Sequence, residues 1–120
     1  MRIAVIGSRT IGDYQYLKLL LAGIDITEVI SGGAAGVDTL AEQWAQENGV
    51  PLTVFRPNYA RHGKQAPLLR NLQIIDAAEA VYVLWDGKSQ GTRTAMDYAR
   101  RKGKPVVCRQ IANSQQGRLF

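Results

Sequence analysis

Eight residues, Ser31-Gly32-Gly33-Ala34-Ala35-Gly36-Val37-Asp38, separate a strand-like run, Thr27-Glu28-Val29-Ile30, from a helix-like run that begins near Thr39. Nothing bulky stands in the stretch. Glycine lets a chain turn sharply between a strand and a helix and lets a ligand approach the main chain, while the unpaired amides of the first helical turn point outward. Such a turn seats an anion, most often a phosphate. It serves equally as a close structural contact between strand and helix, and one glycine-rich turn alone does not separate the two readings.

The rest of the chain has to decide. At 120 residues with 46% hydrophobic content it fits one globular domain with a real core. The N-terminal run Met1-Arg2-Ile3-Ala4-Val5-Ile6-Gly7 is too short for a signal peptide or membrane span and reads as a first strand, so a cytoplasmic protein is expected. Cys108 follows Val106-Val107 in an expected buried strand and reads as core filler. His62 has no second His or Cys at metal-ligand spacing, so neither a metal site nor a cofactor is expected. Charge is uneven: residues 1–55 carry 3 basic and 6 acidic side chains, residues 56–120 carry 12 and 4. A basic half starting at Arg56 favours an anionic partner, a phosphorylated small molecule or a nucleic acid, although solubility alone accounts for it as well.

Apolar periodicity predicts a strand over 2–6, a helix over 14–22 with Tyr14, Leu17, Leu20 and Leu21 on one face, and a short strand over 28–30. A helix through about Glu47 follows, with Leu40, Ala41, Trp44 and Ala45 inward; Thr39 and Glu42 have capping-box spacing and Asn48-Gly49 is a stop signal. Pro51 to Phe55 reads as a third strand. The run from Arg56 to Ala66 lacks a period and reads as a long loop. A helix over 67–77 carries Leu68, Leu69, Leu72 and Ile75, Ala80 to Trp85 is the fourth strand, a helix over 92–102 turns Ala95, Met96 and Ala99 inward, and Lys104 to Cys108 is the fifth strand. Residues 1–110 then form the domain and 111–120 a polar tail.

Strands alternating with helices predict an α/β three-layer sandwich with a five-stranded, mainly parallel sheet. The half-Rossmann order 3-2-1-4-5 sets strands 1 and 4 side by side where the winding reverses, and opens a cleft at their carboxyl ends. Three unusual loops follow strands and therefore share one rim: Gly7-Ser8-Arg9, the small-residue stretch, and Gly87 to Thr92. That convergence favours a binding site.

Gly7-Ser8-Arg9, Ser31 through Asp38, Arg61-His62-Gly63-Lys64, Arg70-Asn71 and Gly87-Lys88-Ser89-Gln90-Gly91-Thr92, in that order, resemble the SLOG superfamily of Rossmann-like domains, and within it the small stand-alone branch related to YspA and YpsA. The resemblance covers residues 1 to about 108. It implies a domain that binds a nucleotide or nucleotide-derived ligand, usually as a homodimer, sometimes as a sensor and sometimes as an enzyme. Lonely Guy phosphoribohydrolases are similar in the Gly87 to Thr92 segment, but their glutamate position is Ala95 here. Cleaving an N-glycosidic bond builds positive charge that a carboxylate at that position stabilises and an alanine does not. Asp97 points some 200° away on the helix, by its ~100° per residue. DNA-processing protein A of bacterial transformation is similar in Gly7-Ser8-Arg9, Ser31 to Asp38 and Arg70-Asn71, which implies single-stranded nucleic acid as an alternative partner. Tyr59, Arg61 and Lys64 suit strand binding.

Residue by residue, Gly32, Gly33 and Gly36 bring amides near a phosphate or permit close helix packing, and Ser31 belongs to the same turn. Arg9 is a clamp for phosphate or carboxylate, with its forked donors. Arg70 and Asn71 are expected at the ligand, with a surface salt bridge as the alternative for Arg70, and Lys64 is expected on a lid-like loop. Thr92 caps its helix or donates to a phosphate; Ser89 and Gly91 share that position. Asp38 caps its helix or holds a ribose hydroxyl, and Asp86 accepts from a ribose or forms a turn before Gly87. No Ser-His-Asp arrangement or acid pair is present, so no catalytic residue is assigned.

Overall fold

A computed structural model describes residues 1–111. The chain runs β1 (Arg2–Gly7), α1 (Tyr14–Leu21), β2 (Glu28–Ser31), α2 (Val37–Glu47), β3 (Leu52–Val54), α3 (Tyr59–His62), a 3-10 turn (Gly63–Gln65), α4 (Ala66–Ala77), β4 (Ala80–Trp85), α5 (Gln90–Arg101) and β5 (Val106–Gln110). The sheet order is β3-β2-β1-β4-β5 and every pairing is parallel. This is the expected α/β architecture, parallel throughout.

Side chains of β1 alternate between the two faces, as the twofold period of a strand dictates. Ile3 and Val5 join Leu17, Leu21, Val37, Leu40 and Ala41 beneath α1 and α2. Ala4 and Ile6 join Ile74, Ile75, Val81, Val83, Ala95 and Met96 beneath α4 and α5. The inward sets expected for α2 and α5 are therefore in place, Trp44 being only partly buried.

Four expectations need correction. Arg56 to Ala66 is not a loop throughout: Asn58 caps α3 by accepting from the Arg61 N–H, and the 3-10 turn leads straight into α4. In α4 the buried residues are Ala66, Arg70, Ile74 and Ile75, while Leu68 is 40% exposed and Leu69 and Leu72 are half-buried. The helix presents its i, i+4 row to the sheet, so the leucines flank the contact instead of filling it. Cys108 is exposed, because β5 lies at the sheet edge with little covering it. The Thr39–Glu42 capping box does not form: Gly36 is the N-cap of α2 with no side-chain cap, and the Thr39 hydroxyl donates to the Ala34 carbonyl instead. Ile111, at the head of the expected tail, is buried and donates its N–H to the Trp85 carbonyl; the rest of that tail lies outside the described residues.

Gly36 is where the backbone is most demanding. Its φ is +74° and ψ −126°, and a Cβ there would meet the Arg9 Cα and the Ser8 carbonyl oxygen at 2.5 Å. Gly36→Ala is expected to lose about 3 kcal/mol of stability, from backbone strain plus collision with main chain that cannot move aside. Gly49→Ala, where φ is also positive but the space is open, is expected to lose only about 1 kcal/mol. Urea unfolding of the two variants measures the difference.

Candidate functional site

Parallel pairing brings Gly7 opposite Leu84, so the loops leaving β1 and β4 rise from neighbouring positions. Ser8 binds them together. It is buried; its N–H donates to the Leu84 carbonyl at 3.1 Å, its Oγ accepts the Asp86 N–H at 3.0 Å, and its carbonyl accepts the N–H groups of Ile11 and Val37 at 3.4 Å. One serine thus joins the loop after β1 to the start of α2 and the end of β4.

Above this junction lies a cavity of about 280 Å3, lined by Gly7, Arg9, Ala34, Asp38, Arg70, Asn71, Asp86, Ser89, Gly91 and Thr92, with Thr10 and Pro67 at its wall and Ala95 buried beneath. Loops from β1, β2 and β4 open on the same side, as the winding predicts. A second cavity of about 380 Å3 adjoins it, sharing Arg9, Ala34 and Arg70 and continuing past Gly32 and Gly33 to Arg56 and Tyr59. Ser8, Ser31 and Gly36 lie below the rim and are not lining residues, and Lys64, exposed on the 3-10 turn, also stands outside both linings.

The small-residue stretch acts differently from a simple amide cradle. The Ala34 N–H donates to Asp38 Oδ2 at 3.1 Å and the Val37 N–H to the Ser8 carbonyl, so amides at the start of α2 are taken internally. Gly32 offers its carbonyl, which accepts from Arg70 Nη1 at 2.6 Å; a Cβ at this position would meet that same nitrogen at 2.6 Å. Arg70 is 6% exposed, and its Nε donates to Asn71 Oδ1 at 2.8 Å. Burial lowers the Arg70 pKa, the nearby Asp38 carboxylate opposes that, and Arg9 adds to it through like charge. Arg9 and Arg70 line both cavities, and among the described residues neither belongs to an ion pair.

Asp38 is buried, and desolvation raises its carboxyl above the usual range although the Ala34 N–H and Arg70 favour the charged form. The Ser31 hydroxyl is buried beside it and completes no hydrogen bond. Asp86 behaves oppositely. Burial pushes it up, but the N–H groups of Lys88 and Ser89 and the hydroxyls of Thr10 and Ser8 hold it below the usual carboxylate range. It forms the turn before α5. Ser89 is the N-cap of that helix and its Oγ accepts from the Thr92 N–H, so Thr92 is the capped residue and not the cap.

Thr10, Ala34, Pro67 and Arg56 were not singled out from sequence. Arg56 had a usable signal: it follows β3, whose carboxyl end lies on the same rim as those of β1, β2 and β4.

An all-parallel five-stranded sheet in the order 3-2-1-4-5, with an arginine-lined cleft at its switch point, makes this a Rossmann-like α/β domain. Residues 1–62 match the model of the YspA, cpYpsA-related SLOG family, and the chain belongs to that family. It is 36% identical over 85 residues to the Gene 61 protein of Mycobacterium phage D29, covering 66% of this chain and 68% of that one. Among solved structures it is similar to DNA processing protein A (DprA) from Streptococcus pneumoniae, with a TM-score of 0.79 and 19% identity over 96% of this chain; it spans about half of that protein, 52%. It is also similar to DNA processing protein A from Helicobacter pylori, a structure describing that protein's single-stranded DNA binding mode, with a TM-score of 0.70, 25% identity, and coverage of 94% and 67% of the two chains. Among the described residues no helix is long and apolar enough to cross a membrane, and no group of metal-ligating side chains gathers.

The raised Asp38 carboxyl gives a pH test. A carboxyl with a folded-state pKa above its unfolded value contributes stability at low pH that is lost as pH rises through the folded value. Asp38→Asn retains an acceptor for Ala34 and does not ionise, so its stability relative to the parent is expected to improve as pH rises from the unfolded value, about 4, through the raised folded value, as read by urea unfolding.

Proposed function

We propose that this domain binds a nucleotide or nucleotide-derived phosphorylated ligand at the carboxyl edge of its sheet, in the manner of a sensor. The observation that carries the reading is the pair Arg9 and Arg70, both lining one cleft and without an ion-pair partner among the described residues. Like charges are held together at a cost that a bound anion removes, and guanidinium forks match phosphate oxygens. The first turn of α5, with Gly91 and Thr92 on the cavity wall, adds amides and a favourable dipole. Asp38 offers an acceptor for a sugar hydroxyl. Lys64 takes no part. Ala95 occupies the floor where phosphoribohydrolases place a carboxylate, so binding without glycosidic cleavage is the reading the geometry supports.

Thermal unfolding against a panel of nucleotides tests this, since a ligand that binds only the folded chain raises its midpoint. At least one nucleotide is expected to stabilise the protein, and Arg9→Ala is expected to weaken that ligand by about 1.5–3 kcal/mol while leaving the unliganded midpoint equal or slightly raised, because Arg9 is exposed and its repulsion of Arg70 is relieved. No stabilisation by any phosphorylated nucleoside would remove the proposal.

A second reading is single-stranded nucleic acid, favoured by Tyr59, 57% exposed, between Arg56 and Arg61 on the wall beyond the cleft. Exposed aromatics stack on bases and flanking cations follow the backbone. The Helicobacter pylori relative's DNA binding supports it by analogy. Oligonucleotide affinity that falls steeply with salt, over several phosphates, is the expected sign of a strand, and a shallow slope that of a small ligand.

The outward leucines of α4 support assembly as a homodimer, which belongs to the proposal together with action in the cytoplasm. Sedimentation of the protein and of Leu68→Glu is expected to give a dimer and a monomer respectively.

A further inference from the structure

The two cavities differ in chemistry on either side of the arginines. The first holds both carboxylates of the site, Asp38 and Asp86, with the hydroxyl of Thr92. These acceptors suit the hydroxyl donors of a sugar. The second has no carboxylate; its outer wall is Arg56, whose Nη1 lies 3.5 Å from the Gly33 carbonyl, and the exposed ring of Tyr59. Arg9 and Arg70 line both. The strongest site for negative charge is thus the boundary between two chambers, and not the end of either. At about 280 and 380 Å3 each chamber stands near the lower limit for a small-molecule site, with room for one nucleoside apiece.

We infer that the ligand carries its phosphate internally: a nucleoside arm in the first cavity, a phosphodiester or pyrophosphate link at Arg9 and Arg70, and a second arm whose base stacks on Tyr59. This deepens the nucleotide-binding reading and rests on it. A nucleoside monophosphate fills half of such a site, leaving the aromatic wall unused. Stacking of one base on an aromatic side chain adds roughly tenfold in affinity.

The experiment compares the four ribonucleoside 5′-monophosphates with the dinucleoside monophosphates ApA, GpG, CpC and UpU, the pyrophosphate-linked diadenosine, and decamers of each base, by calorimetric titration of the parent and of Tyr59→Ala. The expected result is that the best two-armed ligand binds about tenfold more tightly than its mononucleotide, that Tyr59→Ala abolishes this gain, and that mononucleotide affinity stays within about twofold of the parent. Because Tyr59 is exposed, the variant is expected to unfold at the parent's midpoint, which separates a lost contact from a lost fold. Equal affinity for one-armed and two-armed ligands, or a gain that survives in Tyr59→Ala, overturns the inference and leaves the nucleotide reading standing. Affinity that keeps rising from dinucleotide to decamer overturns it in favour of a strand. Absence of binding by every probe removes both the inference and the reading beneath it.

Discussion

The hydrogen bonds of Ser8 hold the upper edge of this protein together. Gly7 lacks a Cβ where Val37 and the Leu84 carbonyl come close, and that close approach lets Ser8 reach β4 and α2 at once. The remaining geometry follows. Asp86 is aimed by its own N–H on Ser8, Asp86 then organises Lys88 and Ser89, and Ser89 starts α5 with its first turn facing the cavity. Apart from the exposed Lys88 N–H, each link uses a buried or half-buried polar group, which needs a partner where water has little access. Cavity-lining side chains are thereby fixed through three main-chain bonds of residue 8 and one bond to its hydroxyl, which a small alcohol supplies and a bulky side chain does not.

Arg70 is the second organising element and a less ordinary one. A buried guanidinium is tolerated only when its donors are used, and here the Gly32 carbonyl and Asn71 take two of them while the nearest carboxylate, Asp38, is itself reluctant to ionise. The cleft thus contains a cation supported by dipoles more than by a counter-ion. Gly32 makes this geometry available, since a side chain there would occupy the place of the guanidinium.

Much of this was legible in the sequence. Short apolar runs mark the five strands, and the switch-point rule then places three loops on one rim. The chain between Arg56 and Ala66 was not legible because α3 is one turn long and wholly surface-lying, so no apolar period announces it. The face of α4 was misread for a related reason: its inward row is Ala66, Arg70, Ile74, and an arginine in the middle of that row disguises it, whereas Leu68, Leu69 and Leu72 imitate a core stripe. Cys108 was misplaced because two valines before it suggest an interior strand, although the expected order 3-2-1-4-5 already puts the fifth strand at an edge. For the turn at Ser31 to Asp38, composition was informative about space and silent about which amides would be consumed internally.

The opposite edge of the sheet is less crowded, although its glycine turns keep positive φ. Its connections at Gly23, Gly49 and Gly103 are exposed, and added atoms at those glycines would meet nothing. Since the interior is already closed by the strands and helices above them, these three bends are the natural seams of the molecule, where evolution or an engineer can splice in a tag, a reporter or a whole partner module without reaching the chamber on the far side.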